Sequence, residues 1–359
     1  MTCFKPKKAW KLKFSTLDTS PQTFEKQKKI TFKRPSNLDN YQELEIPCGT
    51  CLGCKLDNAN AWATRIMLET FDHKENSFIT LTYDNEHLNI NNNHMTLVKK
   101  DIQDFIKRLR FHLNKKISYF ACGEYGNQTH RPHAHLIVFG YKPKDLKLHK
   151  FSATEKNMYI SEELSKIWGK GYVCIEDVNY KTACYTARYV QKKAGIKPNK
   201  REYTGEIEET EKTDIRTGEV YKSLINKTKV SKFDNYGREK EFIIMSKKPA
   251  IGLNYWNKNK EKIIRNKGIL IKVDNKVSLK PIPRYFKKIW ERENWEELYK
   301  YKMECQKNLA EKRQETLEKI SLSSQKCEEL TEIQKNDIYN KYLEKNLKER
   351  GKYLKRNQI

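Results

Sequence analysis

Arg131-Pro132-His133-Ala134-His135-Leu136-Ile137-Val138-Phe139-Gly140 is the stretch on which the fold turns. Side chains two apart on a strand point to the same side, so His133 and His135 present two imidazoles together. Leu136 to Phe139 is apolar on both faces, which predicts a central, buried strand. Two adjacent buried histidines need partners. A divalent metal is one answer; a pair of core histidines bonded to backbone is the other. The preceding run, Ser118-Tyr119-Phe120-Ala121-Cys122-Gly123-Glu124, reads as a second strand joined to the first by the polar loop 125–132. Antiparallel pairing puts Glu124 opposite or diagonal to His133. Two histidines and one carboxylate make a three-ligand site with open positions, which Lewis-acid chemistry on a phosphoryl oxygen requires. Mixed imidazole and carboxylate ligation suits Mn²⁺ or Zn²⁺; Mg²⁺ prefers oxygen but can serve.

Outward from this hairpin the pattern alternates. Residues 55–72 carry Ala59, Ala61, Trp62, Ile66, Met67 and Phe71 at helical spacing, and Phe78 to Tyr83 is a β-branched, aromatic strand. Leu97 to Leu113 reads as a helix with Ile102, Phe105, Ile106 and Leu109 on one face. Ser161 to Trp168 is a short helix ended by Gly169, Gly171 to Val178 a strand, and Tyr180 to Lys193 a helix. The order predicts an α+β fold with an antiparallel central sheet and flanking helices on one face. Residues 1–54 read as a basic, irregular arm with a cysteine cluster, 55–196 as the core and 197–240 as a polar insertion or flexible arm. Residues 241–290 read as an extension associated with the core, and 291–359 as a charged helical tail.

In Tyr185-Thr186-Ala187-Arg188-Tyr189-Val190-Gln191-Lys192-Lys193, Tyr185 and Tyr189 stack one helical turn apart, with Lys192 further along the stripe and Arg188 close to both. Two tyrosines on a helix are usually half-buried packing residues. Beside a metal-polarised phosphate they become candidate nucleophiles, with Lys192 and Arg188 steadying the developing charge.

The formal net charge is +26, from 72 Lys+Arg against 46 Asp+Glu. Self-repulsion of this size predicts a polyanionic partner, because each neutralised phosphate releases counterions. Arg131, Arg188 and Lys193 are the candidate phosphate contacts around the site, and Lys99, Lys100, Lys107, Arg108 and Arg110 those on or beside the helix at 97–113. There is no strongly amphipathic basic helix, no signal-type apolar segment after Met1 and no run of bilayer length, so the expectation is an intracellular protein without membrane partners. Nine cysteines there are thiols or metal ligands. Cys48, Cys51 and Cys54 have metal-like spacing, with Cys3 a candidate fourth ligand for a structural Zn²⁺. An iron–sulfur cluster and a tight turn with incidental thiols remain alternatives. The other five read as ordinary thiols.

Together these segments resemble the HUH endonucleases, and within them the replication initiators of small single-stranded DNA phages of the Microviridae. Phe78 to Leu88 is similar to the first motif of that family. Cys122 to Gly126 with Arg131 to His135 is similar to the second, and Tyr185 to Lys192 to the third, in its two-tyrosine form. Pro47 to Cys54 and Ser246 to Gly252 resemble further segments of these phage proteins. The resemblance spans roughly residues 45–290. It implies an HUH-like nuclease core at 55–196 and a metal site of Glu124, His133 and His135, with Tyr185, Tyr189 and Lys192 catalytic. It implies nicking of one strand of replicative-form DNA at an origin through a 5′-phosphotyrosine, later rejoining of the displaced strand, and action in the cytoplasm of an infected bacterium. The partners would be single- and double-stranded origin DNA, with a host helicase or polymerase a candidate for the charged tail. The competing readings are a non-catalytic nucleic-acid binder with a zinc-like N-terminal module, and a metal-dependent phosphohydrolase with no covalent step.

Overall fold

A computed structural model describes residues 3–12, 30–126, 129–151, 157–195, 202–213, 220–229, 237–273, 276–324 and 331–352. In chain order the elements are β1 (Lys7–Leu12), β2 (Tyr41–Ile46), α1 (Leu52–Phe71), β3 (Asn76–Tyr83), β4 (Ile90–Asn91), β5 (His94–Met95), α2 (Lys99–His112), β6 (Ser118–Tyr125), β7 (Pro132–Phe139), β8 (Lys147–Phe151), β9 (Asn157–Ile160), α3 (Glu162–Trp168), β10 (Gly171–Glu176) and α4 (Tyr180–Gly195). Then follow β11 (Glu202–Thr213), β12 (Val220–Lys229), β13 (Phe242–Met245), α5 (Leu253–Arg265), β14 (Ile269–Val273), β15 (Lys276–Lys280), α6 (Arg284–Glu293), α7 (Trp295–Ser324) and α8 (Glu332–Lys352). They fall into two compact units, one of residues 63–259 with 271–277, the other of 1–62, 260–270 and 278–359.

The first unit is built on a seven-stranded antiparallel sheet of order β13-β6-β7-β3-β10-β9-β8. The His-x-His strand β7 therefore lies inside the sheet, between β6 and β3, as its apolar run predicts. Alternation divides the sheet residues between two faces. Ile79, Leu81 and Tyr83 of β3 join Ala134, Leu136 and Val138 of β7 in one core. Ile102, Phe105, Ile106 and Leu109 of α2 and Leu164 and Trp168 of α3 close over it. The other face carries His133 and His135, and α4 lies against β6, β7 and β13 there. Helices thus cover both faces, where the sequence order predicts one. The reason is the near-continuous apolar run of β7, which leaves both sides to be buried.

Local signals end the elements where the sequence places them. Ser161 caps α3, its hydroxyl accepting from Leu164 N at 3.1 Å, and Gly169 at φ +61° closes the helix in the left-handed region. Gly123 has a packing reason: a Cβ there would sit 2.7 Å from the Phe242 ring of the neighbouring strand. Gly123→Ala should cost about 1–3 kcal/mol of stability by overpacking, read as a shifted denaturant midpoint with unchanged slope. A neutral result would mean that Phe242 moves aside freely. Two buried charges on α1 fasten the 246–252 segment: Arg65 Nε donates to Ile251 O at 3.1 Å, and Glu69 Oε2 accepts from Gly252 N at 2.7 Å.

The polar stretch at 197–240 contains a β-hairpin, β11 paired antiparallel with β12, where the sequence suggests an insertion or flexible arm. The first 54 residues are not irregular throughout, since β1 pairs with β2 from Lys7↔Ile46 to Leu12↔Tyr41. The second unit also holds α6 to α8, with Phe286, Trp290, Leu298 and Tyr301 buried and Trp290 Nε1 donating to Glu297 Oε2 at 2.8 Å. Among the described residues, no helix is long and apolar enough to cross a membrane.

Candidate active site

Register puts the three predicted ligands together. Glu124 of β6 lies directly across from His133 of β7, and His135 is two residues further along the same face. Both imidazoles converge on one carboxylate oxygen: Glu124 Oε1 is 2.8 Å from His133 Nε2 and 2.7 Å from His135 Nε2. The rings meet edge to face with centroids 5.0 Å apart. Glu124 and His135 are buried and His133 is half-buried, so the cluster opens on the His133 side.

His133 Nδ1 lies 3.1 Å from the Arg131 carbonyl, an acceptor only, so this nitrogen carries the hydrogen. In a neutral ring, Nε2 then turns a lone pair toward a carboxylate oxygen. Such a contact needs a cation, either a proton or a metal. Burial raises the Glu124 pKa, but the hydrogen bonds from His133 and His135 outweigh it and hold the carboxyl well below the usual range. Burial pulls His133 down, and the same bond to Glu124 more than reverses this and raises it. The separations approach the edge of about 3 Å expected between ligands with metal bonds of about 2.1 Å. The donor set therefore fits a divalent ion, with two neutral nitrogens and one carboxylate oxygen on one side of it and the other positions left open.

Three supporting residues escape the sequence reading. Thr80 Oγ1 lies 2.9 Å from His135 Nδ1, directing the other ring nitrogen at Glu124. Phe78 stacks on the His135 ring at 5.4 Å and 8°. The Arg131 carbonyl orients His133 while also accepting from Gly126 N at 3.0 Å. The signal available was the alternation of β3, which puts Thr80 and Thr82 across from the two histidines, but only its pairing with β7 reveals it. Thr80→Val should lower affinity for Mn²⁺ about 10–100-fold by freeing the His135 ring, measured by calorimetric titration. Unchanged affinity would mean that Phe78 alone holds the ring.

From α4, Tyr185 reaches the same oxygen. Its hydroxyl donates to Glu124 Oε1 at 2.9 Å and lies 3.3 Å from His135 Nε2. The contact depends on Thr186 and Ala187 being buried beside it, which turns Tyr185 toward the sheet. The backbone of α4 continues through Tyr189, Lys192 and Lys193, whose side chains lie outside the described residues. Arg188 is exposed on the same helix. Arg131 has its Nε and Nη2 on the Tyr83 carbonyl at 3.1 and 2.8 Å, and Nη2 also on Asn85 Oδ1 at 2.9 Å. That engagement clamps the end of β3 and leaves less of the guanidinium for a phosphate. On α2, Lys100 and Lys107 pair with Asp104, Arg108 holds the Ile167 and Trp168 carbonyls, and Arg110 holds that of Ile117. At a distance in sequence, Cys3 joins Cys48, Cys51 and Cys54 in a second cluster.

The profile of the replication-associated protein ORF2 family matches residues 76–194, the span that holds every ligand and both tyrosines. The chain is 32% identical over 314 residues to replication-associated protein ORF2 of Spiroplasma virus 4, covering 83% of each chain. It is 34% identical over 192 residues to replication-associated protein ORF4 of Chlamydia phage 1, 50% of this chain and 47% of the relative. It is 36% identical over 156 residues to replication-associated protein VP4 of Bdellovibrio phage phiMH2K, 41% of this chain and 48% of the relative. No solved structure matches significantly. With a relative aligned along most of both chains, the protein belongs to the replication-associated protein family of small phages and viruses.

Proposed function

We propose that the protein is an HUH-type replication initiator that nicks one DNA strand at an origin through Tyr185, and that it later rejoins the displaced strand in rolling-circle replication. The observation that carries this reading is the Tyr185 hydroxyl 2.9 Å from the carboxylate oxygen shared by both histidines. A divalent ion held by Glu124, His133 and His135 would polarise a phosphoryl oxygen and make phosphorus the better electrophile. The Tyr185 oxygen forms a bond to phosphorus, and the bond from phosphorus to the 3′-oxygen breaks. The phenolic proton passes first to Glu124, to which the hydroxyl already donates. The departing 3′-oxygen takes up a proton and leaves a free 3′-hydroxyl for a polymerase, while the 5′-phosphate stays on the tyrosine. Reversal by a 3′-hydroxyl reseals a circle. Tyr189, one turn further along α4, serves the second transfer, and Lys192, Lys193 and Arg188 steady phosphate charge. The excess of positive charge, +26, favours a long DNA contact.

The test is a covalent adduct. Wild-type protein with Mn²⁺ or Mg²⁺ and single-stranded origin oligonucleotides should give a protein–DNA species that survives denaturing electrophoresis and disappears with a chelator. Failure to form it on any candidate origin DNA sinks the proposal, and cleavage without adduct points to a phosphohydrolase.

A further inference from the structure

The second cluster lies outside the site just described and has no part in its chemistry. Cys3 precedes β1, Cys48 follows β2, Cys51 immediately precedes α1 and Cys54 sits in the first turn of that helix. The four sulfurs lie within 4.8 Å of one another, with Cys48 to Cys54 and Cys51 to Cys3 both at 4.0 Å. That is twice a disulfide bond length, and the four cysteines are free. It is close to the edge of about 3.8 Å of a tetrahedron with metal–sulfur bonds of about 2.3 Å. A four-iron cluster would interpose several atoms between the thiolates and spread them wider.

Backbone amides are aimed at the sulfurs. Cys48 N donates to Cys3 Sγ at 3.2 Å, Cys51 N to Cys48 Sγ at 3.3 Å and Cys54 N to Cys51 Sγ at 3.5 Å. Thr50 Oγ1 donates to Cys48 Sγ at 3.6 Å. A neutral thiol is a weak acceptor, so several donors in one small cluster indicate negative charge on sulfur. Gly49, at φ +74°, permits the turn that brings Cys48 and Cys51 together.

We propose that Cys3, Cys48, Cys51 and Cys54 hold one Zn²⁺ ion as a closed structural centre. Its place explains its use. β1 and β2 form a two-stranded ribbon, which is marginal alone. Lys7 pairs with Ile46 at the end where Cys3 and Cys48 lie, so the ion clips that end and ties it to the first turn of α1. Ion binding there is folding free energy for this segment.

Metal analysis of the full-length protein, purified without chelator or polyhistidine tag, tests this. One zinc per chain is expected in wild type and in the His133→Ala/His135→Ala variant, and nearly none in Cys48→Ser/Cys51→Ser. If the cysteine variant does not fold, native wild-type protein is alkylated with and without a zinc chelator and the labelled sites mapped. Cys48 and Cys51, only half-buried, should be labelled after chelation alone. The proposal is overturned if wild type carries no zinc and takes none up, or if iron occupies the site. It is equally overturned if zinc follows the histidines rather than the cysteines, or if Cys48 and Cys51 react alike with and without chelator.

Discussion

Tyr185→Phe should lower the rate of covalent DNA adduct formation by about 10³-fold or more, which is at least about 4 kcal/mol of transition-state free energy. The substitution removes one oxygen atom. The ring, in edge contact with His135 at 5.0 Å, has no reason to move. Binding of the same oligonucleotide should therefore stay within about twofold, because phosphate neutralisation rather than the hydroxyl supplies affinity. A denaturing gel gives the adduct rate and fluorescence anisotropy the binding. If Tyr185→Phe forms adduct at the wild-type rate while Tyr189→Phe does not, the first transfer belongs to Tyr189, and Tyr185 only supports the carboxylate.

Glu124→Gln should have a comparable effect by another route. One oxygen of Glu124 faces both imidazoles and the Tyr185 hydroxyl, so losing its charge touches every member of the cluster. Affinity for Mn²⁺ should fall by about 10²-fold or more, and adduct formation with it, even at saturating DNA. Raising the ion concentration should restore part of the lost rate, which it cannot do for Tyr185→Phe. The pH dependence has a definite sign. The raised pKa of His133 means that the ring keeps its proton to higher pH than a free imidazole. Apparent ion affinity in wild type should accordingly fall as pH drops through that value. Full activity of Glu124→Gln at wild-type ion concentrations would remove the carboxylate from the ligand set.

The strands β3, β6, β7 and β10 and the helices α1 to α4 were legible in the sequence because each repeats apolar residues at one clear period. Glu124 was legible for the same reason, since a hairpin between two recognisable strands leaves few registers. Thr80 was not. It becomes a partner of His135 only through the pairing of β3 with β7, two strands separated by the whole of α2 and β6. The strands β8, β9, β11 and β12 were missed because Lys, Glu, Thr and Asn dominate them and leave no apolar alternation to read. The charge on α2 was overread: Arg108 and Arg110 look like phosphate ligands in a list of residues, yet each holds a backbone carbonyl.

The register of β6 against β7 carries a consequence of parity. Glu124 faces His133 across the ladder, and side chains alternate faces at every step. A one-residue slip would set Glu124 against Ala134 and turn the carboxylate away from both imidazoles. The connecting turn can therefore change its composition freely, but its length only by steps that keep odd and even positions in phase. Drift in this part of the chain is confined to substitutions and paired insertions, and a single added residue would separate the ligands without altering one of them.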